Sequence, residues 1–202
     1  MTSRRPGRAA PLPPEERRAA IIAAVTPLIR EHGAGVTTQQ IARAAGIAEG
    51  TIFRVFPDKD SLVVAVVDAA FDTGSMVVRI ADIADGDTLD RRLTAAVEVL
   101  QEYLSGVFTL IGAVGLRPPQ GADRVPIRHE ESHRMLRAAL VALLEPHTDE
   151  LARPPAEVAE ALRLMTFSAT HPRVTGGPPL AAADIVSFVL DGVRDHTRRR
   201  MP

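Results

Sequence analysis

The 202-residue chain has no cysteine, no tryptophan, one tyrosine and one lysine. Without cysteine there can be no disulfide framework, no thiolate metal site and no cysteine nucleophile, which accords with a reducing compartment. Aromatic residues make up only 3% of the chain, so Ala, Val, Leu and Ile must carry the packing. That suits close helix–helix contact better than a β-sandwich. No apolar run reaches the roughly 18 residues that a spanning helix needs. The opening MTSRRPGRAAPLPP has no apolar h-region of the kind a secretory signal carries. The expectation from these absences is a cytoplasmic protein with no membrane partner.

What is present is unevenly distributed. Residues 1–60 hold nine Lys/Arg against six Asp/Glu, and residues 61–202 hold fifteen against nineteen. The sign of the charge therefore changes along the chain, as expected if only the first part meets a polyanion. Residues 1–13 read as a flexible basic arm with Arg4, Arg5 and Arg8. A helix starts at Pro14, with Glu15 and Glu16 in its first turn. Its stripe is Ala20, Ile21, Ala24, Val25, Leu28 and Ile29, and it stops at Gly33; Pro27 inside it is expected to bend or weaken it. Thr37 and Gln40 form a capping box for a short helix that ends at Gly46. Residues 48–56 form a second short helix, stopped by Pro57, and a long helix is expected from about Lys59 to Ala81. Further helices are expected over 88–114, 126–146, 155–171 and 181–197, with Pro/Gly-rich breaks between them. The fold class read from this pattern is all-α, with about nine helices: a basic arm (1–13), a three-helix unit (14–60) and a larger helical unit (61–202).

Two short helices around a glycine turn, braced by a first helix, are the parts of a helix-turn-helix reader of the DNA major groove. With Ile52 and Phe56 turned inward, Glu49, Gly50, Thr51, Phe53 and Arg54 remain outside. Arg54 can fork onto a guanine or a phosphate, and Thr51 offers a hydroxyl. The stretch IARAAGIAEGTIFRVFPDKDSL resembles the DNA-binding signature of the TetR family of transcriptional repressors. The resemblance is carried by Ile41, Ala42, Ala45, Gly46, Ile47, Gly50, Thr51, Ile52, Phe56, Lys59, Asp60 and Leu62. It implies that Thr37 and Gln39 meet phosphates, that Thr51, Phe53 and Arg54 face the groove, and that the sole lysine, Lys59, pairs with backbone phosphate. Thr38, Ala48, Glu49 and Gly50 complete the candidate DNA-binding set. The chain departs from the family pattern where Ala48 replaces a capping Ser, Phe53 replaces Tyr and Val55 replaces Tyr or His. Glu49 can accept from a cytosine amine or keep the helix off wrong sites.

The segment His129-Glu-Glu-Ser-His133 is a literal H-E-x-x-H, the arrangement of zinc hydrolases. Leu136 and Ala139 stand where the extended zinc motif needs Gly and His. On a helix, His129 and His133 continue the stripe Leu136, Leu140, Leu143 and Leu144, which places them inward as pocket donors or as satisfied structural residues. Met76, Tyr103, Phe108 and Phe167 join them as effector-pocket candidates. Leu162, Met165 and Ala169, with Ile185, Val189 and Val193, form two stripes that suit a homodimeric four-helix bundle. The expected function is a repressor released from a palindromic double-stranded DNA operator by a small-molecule effector, with no cofactor, no metal and no catalytic residue assigned. The competing readings are a zinc-dependent hydrolase built on HEESH and a ligand-binding module that has lost DNA binding.

Overall fold

Where the helices start and stop is decided largely by caps and turns that act over a few residues. The structure, a computed structural model, describes residues 13–83, 88–115 and 127–193, with the side chains of 127–129 and 193 excepted. Among the described residues there are helices and no strand. Two units emerge from the packing. One takes in the described residues of Met1–Ala69 together with Ala113–Gly115, and the other those of Ala70–Gly112 and Leu116–Pro202. The basic arm lies outside the described residues.

In the first unit, α1 (Pro14–His32) opens on proline with Glu15 and Glu16 in its first turn. It runs unbroken past Pro27, which has no N–H to donate to the preceding turn. Beside it, the Thr26 hydroxyl donates to the Ile22 carbonyl at 2.7 Å. A 3₁₀ turn over Gly33–Gly35 leads to α2 (Thr38–Ala45). The capping box there is complete: Gln40 N–H donates to Thr37 Oγ1 at 3.2 Å, and Thr37 N–H donates to Gln40 Oε1 at 2.8 Å. Gly46, at φ 65° and ψ 29°, closes α2 in the left-handed region that a side chain would disfavour. Regular α-helix in the next segment is only one turn, α3 (Glu49–Ile52), shorter than the predicted 48–56. From Phe53 the chain continues in hydrogen-bonded turns, with Val55 and Phe56 N–H groups both donating to Ile52 O at 2.9 Å. Pro57 disfavours helical backbone at Phe56 and ends the segment.

The helix predicted from Lys59 to Ala81 is in fact two, α4 (Lys59–Ala70) and α5 (Gly74–Ala81). Asp72 explains the break, because its carboxylate accepts the Gly74 N–H at 2.9 Å and offers that backbone a partner outside the helix ladder. The first unit buries Ile21, Val25, Ile29, Val36, Ile41, Ile52, Phe56, Leu62 and Val66. Arg18 lies over the Phe56 ring, 4.5 Å from its centroid, which adds a cation–π contact to that core.

The second unit contains α5, most of α6 (Leu89–Val114), α7 (Ile127–Leu144), α8 (Pro155–Thr170), the one-turn α9 (Pro172–Thr175) and α10 (Ala182–Val193), with a 3₁₀ segment over Glu145–Glu150. α7 packs on α5 and α8, and α8 packs on α10. Their shared core is aliphatic, including Ile80, Leu93, Val97, Leu140, Leu144, Val158, Leu162 and Ile185. α6 is long and apolar enough over part of its length to cross a membrane. Leu89, Leu93, Ala96, Val97 and Leu100 on it are nonetheless buried in this core.

Candidate nucleic-acid interface

The first unit brings the predicted DNA-binding residues onto neighbouring elements. Thr37, the N-cap of α2, and Gln39 in its first turn are exposed. Thr37 spends its hydroxyl locally, donating to Gln40 Oε1 at 2.9 Å. Thr38 donates its hydroxyl to the Glu49 carboxylate, which joins the start of α2 to the start of α3. Glu49, Gly50, Phe53 and Arg54 are exposed and Thr51 is half-buried, whereas Ile52 and Phe56 are fully buried. Nothing lies where a Cβ on Gly50 would sit, so the backbone there is open to close approach. Among the described residues the Arg54 guanidinium has no ion-pair partner. One residue escaped sequence reasoning. Arg43, exposed on the last turn of α2, follows Gln39 by four residues and so shares its face; that spacing was the signal.

Two members of the set are placed differently from a simple contact list. Lys59 donates from Nζ to the Ala34 carbonyl at 2.8 Å, so it braces the turn between α1 and α2. An ammonium has three donors, and two remain for a phosphate. Ala48 is the N-cap of α3, with extended backbone and no side-chain cap. Replacing Ala48 with Ser will supply the missing acceptor and raise stability by about 0.5–1 kcal/mol. A urea midpoint unchanged or lowered in Ala48→Ser would refute that account of the cap.

In the second unit the effector-pocket candidates fall into two groups, Met76 with Tyr103 at the aliphatic core and Phe108 with Phe167. Met76 is buried in the aliphatic core. Tyr103 is half-buried against it, and burial, then the negative charge of Asp72, push its phenol up to about 12. Phe108 on α6 and Phe167 on α8 meet edge-to-face, with ring centroids 5.4 Å apart. His171 packs against Phe108 with ring centroids 4.5 Å apart and planes tilted by 59°, and it caps α9 through Nδ1, which accepts the Arg173 N–H at 3.2 Å. His133 is exposed, which corrects the expectation that it faces inward with Leu136 and Leu140. Residues 130, 131, 134 and 135 are exposed too, so these positions of α7 stand clear of the packing that buries Leu136. The His129 side chain lies outside the described residues. Among those residues, no three His, Asp or Glu side chains come together as a metal site.

The dimer stripes also need correction. Leu162, Ala169, Ile185 and Val189 are buried within this single chain, because α8 and α10 turn those faces to each other and to the aliphatic core. They are unavailable to a second copy. Met165 is exposed, and the Val193 side chain lies outside the described residues. Among the described residues the large apolar side chains left outside on these helices are Leu164, Met165, Phe167 and Phe188.

Residues 21–66 match the family model of the bacterial regulatory proteins, tetR family. That span holds the last twelve residues of α1, all of α2, the glycine turn, α3 and the first two-thirds of α4. The whole chain resembles solved structures in fold. One is a TetR-family transcriptional regulator from Mesorhizobium loti, with 17% identity, 91% of this chain and 100% of that chain covered, and a TM-score of 0.65. Another is the regulator FadR from Bacillus subtilis in complex with stearoyl-CoA, with 18% identity, 86% and 95% covered, and a TM-score of 0.56. A third is NalD of Pseudomonas aeruginosa, the secondary repressor of the MexAB-OprM multidrug efflux pump, with 16% identity, 90% and 98% covered, and a TM-score of 0.54.

Proposed function

We propose that this chain, which belongs to the TetR family of bacterial regulatory proteins through its N-terminal domain, is a homodimeric repressor that leaves a palindromic DNA operator when a small molecule binds its second unit. The observation that carries the reading is the helix-turn-helix itself. α2 is capped by Thr37, turned by Gly46 and followed by α3, whose Ile52 is buried while Glu49, Gly50, Phe53 and Arg54 are exposed. An exposed polar edge on a rigidly seated turn is what the major groove requires. The chain's function on this reading is binding and regulation, with no reaction catalysed.

Release by an effector requires that the effector bind the operator-free arrangement more tightly than the operator-bound one. The second unit suits a lipophilic or moderately polar molecule, since its interior is aliphatic with Tyr103 packed against it. FadR, solved with stearoyl-CoA, has the same fold and supports that class. The chain passes from the first unit to the second at Ala69–Ala70, in the last turn of α4, and returns to the first within α6 at Gly112–Ala113.

The test is binding of the purified protein to the DNA flanking its own coding region, measured across a salt series. Tight binding that falls steeply with salt and centres on a palindrome is the expected result. Arg54→Ala will relax preference at one base pair per half-site, a loss of about 1–3 kcal/mol for the preferred base. Lys59→Ala will weaken all sequences alike and reduce the salt slope by about 1. Variants that both bind as the parent does, with unchanged slope, would rule out this interface.

A further inference from the structure

We propose that Glu49 selects a cytosine at one position in each half of the operator, and that Thr38 is the positioning residue that aims it. The inference rests on the DNA-binding reading above and names one of its base contacts. Glu49 is the first residue of α3 and exposed, and the exposed Phe53 follows four residues later on the same face. Thr38 opens α2 and donates its hydroxyl to Glu49 Oε1 across the glycine turn. Among the described residues no ion pair involves Glu49. The carboxylate is therefore tethered at the edge of the recognition turn by a neutral donor, with its remaining acceptor capacity open to solvent.

The chemistry of such a group narrows what it can read. A carboxylate offers only acceptors, so phosphates, guanine O6 and N7, and thymine O4 all repel it. Two bases present an amine in the major groove. Adenine sets its N6 amine between the N7 acceptor and the thymine O4, both of which oppose a carboxylate, whereas cytosine N4 has an acceptor on one side only, the paired guanine O6. Placed in a positively charged segment, an acid also lowers affinity for every phosphate nearby. It weakens wrong sequences most, because only cytosine compensates it. The tether matters because a free glutamate would lose side-chain entropy on docking, and Thr38 removes part of that loss before DNA arrives.

The experiment is selection of the full-length protein against random-sequence duplexes at fixed salt, for the parent, Glu49→Gln, Thr38→Val and Thr38→Ser. Affinities are then measured on the best site and on its single-base variants. The parent is expected to enrich cytosine at one symmetry-related position and to lose about tenfold on replacing it. Glu49→Gln is expected to bind unrelated DNA more tightly while its preference there vanishes or moves to adenine, which a carboxamide pairs through N6 and N7. Thr38→Val is expected to lower the cytosine preference part-way and Thr38→Ser to restore it. Should Glu49→Gln enrich the same site with the same preference at every position, Glu49 is a solvated acid and the inference fails. A Thr38→Val variant that keeps the full preference removes Thr38 from it. A parent that enriches no sequence at all overturns the DNA-binding reading, and the inference with it.

Discussion

Gly33→Ala will destabilise the N-terminal unit by roughly 3–5 kcal/mol, in the range reserved for severe backbone and packing defects. Two independent penalties meet at this residue. Its backbone sits at φ 59° and ψ −145°, close to a region that essentially only glycine occupies, which by itself costs about 1–3 kcal/mol for a residue with a side chain. A Cβ built there would lie 2.0 Å from the Ala113 carbonyl oxygen and 2.9 Å from its carbonyl carbon. Both are backbone atoms, so no rotamer change relieves the overlap. Gly33 also ends α1, donating its N–H to the Ile29 carbonyl, so any shift disturbs the close of that helix. Gly35→Ala is the matched control: it is two residues away in the same 3₁₀ turn, where an added Cβ meets nothing within 4 Å. That variant is expected to stay within about 0.5 kcal/mol of the parent. Urea unfolding followed by helical signal decides the matter, and equal midpoints for the two variants would show that the close approach of Ala113 does not constrain Gly33.

The parts of this architecture that can be read from the sequence are those set over a few residues. The Thr37–Gln40 box and the turn at Gly46 depend on nearby backbone groups, so four or five letters state them and the structure repeats them. The break between α4 and α5 also has a local cause, the Asp72 carboxylate. It is hidden because the apolar periodicity continues through Met76 and Ile80, which suggests one helix. What periodicity does not supply is how far a stripe stays buried. His133 continues the Leu136–Leu140 stripe of α7 on a helical wheel and is nevertheless exposed, because burial ends where neighbouring helices end. α8 and α10 show the same limit differently. Each carries apolar residues on more than one face, and the packing of this chain takes Leu162, Ile185 and Val189 for its own core. Lys59 is a third case: the match to the TetR signature implies a phosphate, and only the folded chain shows the Ala34 carbonyl within 2.8 Å.

On the proposed reading of a homodimer on a palindromic operator, Phe188→Glu combined with Leu164→Glu is expected to leave a folded monomer that binds that DNA about 10²–10⁴-fold more weakly, the usual worth of engaging two half-sites at once. Phe188 on α10 is 75% exposed and Leu164 on α8 is 51% exposed, on two helices that pack against each other. A contiguous exposed apolar patch marks a surface that meets a partner, and a buried Phe contributes about 150–250 Å² to such a contact. The small Ala161 and Ser168 lie on the Leu164 face at helical spacing, and Gly192 follows Phe188 by four residues on its face. A two-fold axis through this surface would give each copy the same contacts and set two recognition turns on one palindrome. Acids at Phe188 and Leu164 place like charges on both sides of that axis, so the repulsion is doubled by symmetry. The core is untouched, and the helical signal of the double variant will match the parent. Leu162→Glu marks the contrast: that side chain is fully buried within the single chain, and an unpaired charge there will unfold the unit instead of separating copies. Sedimentation of both variants beside operator titrations distinguishes these outcomes. A double variant that still sediments as a dimer would place the partner surface elsewhere on the chain, whereas a monomer that keeps full operator affinity would break the link between dimerisation and recognition.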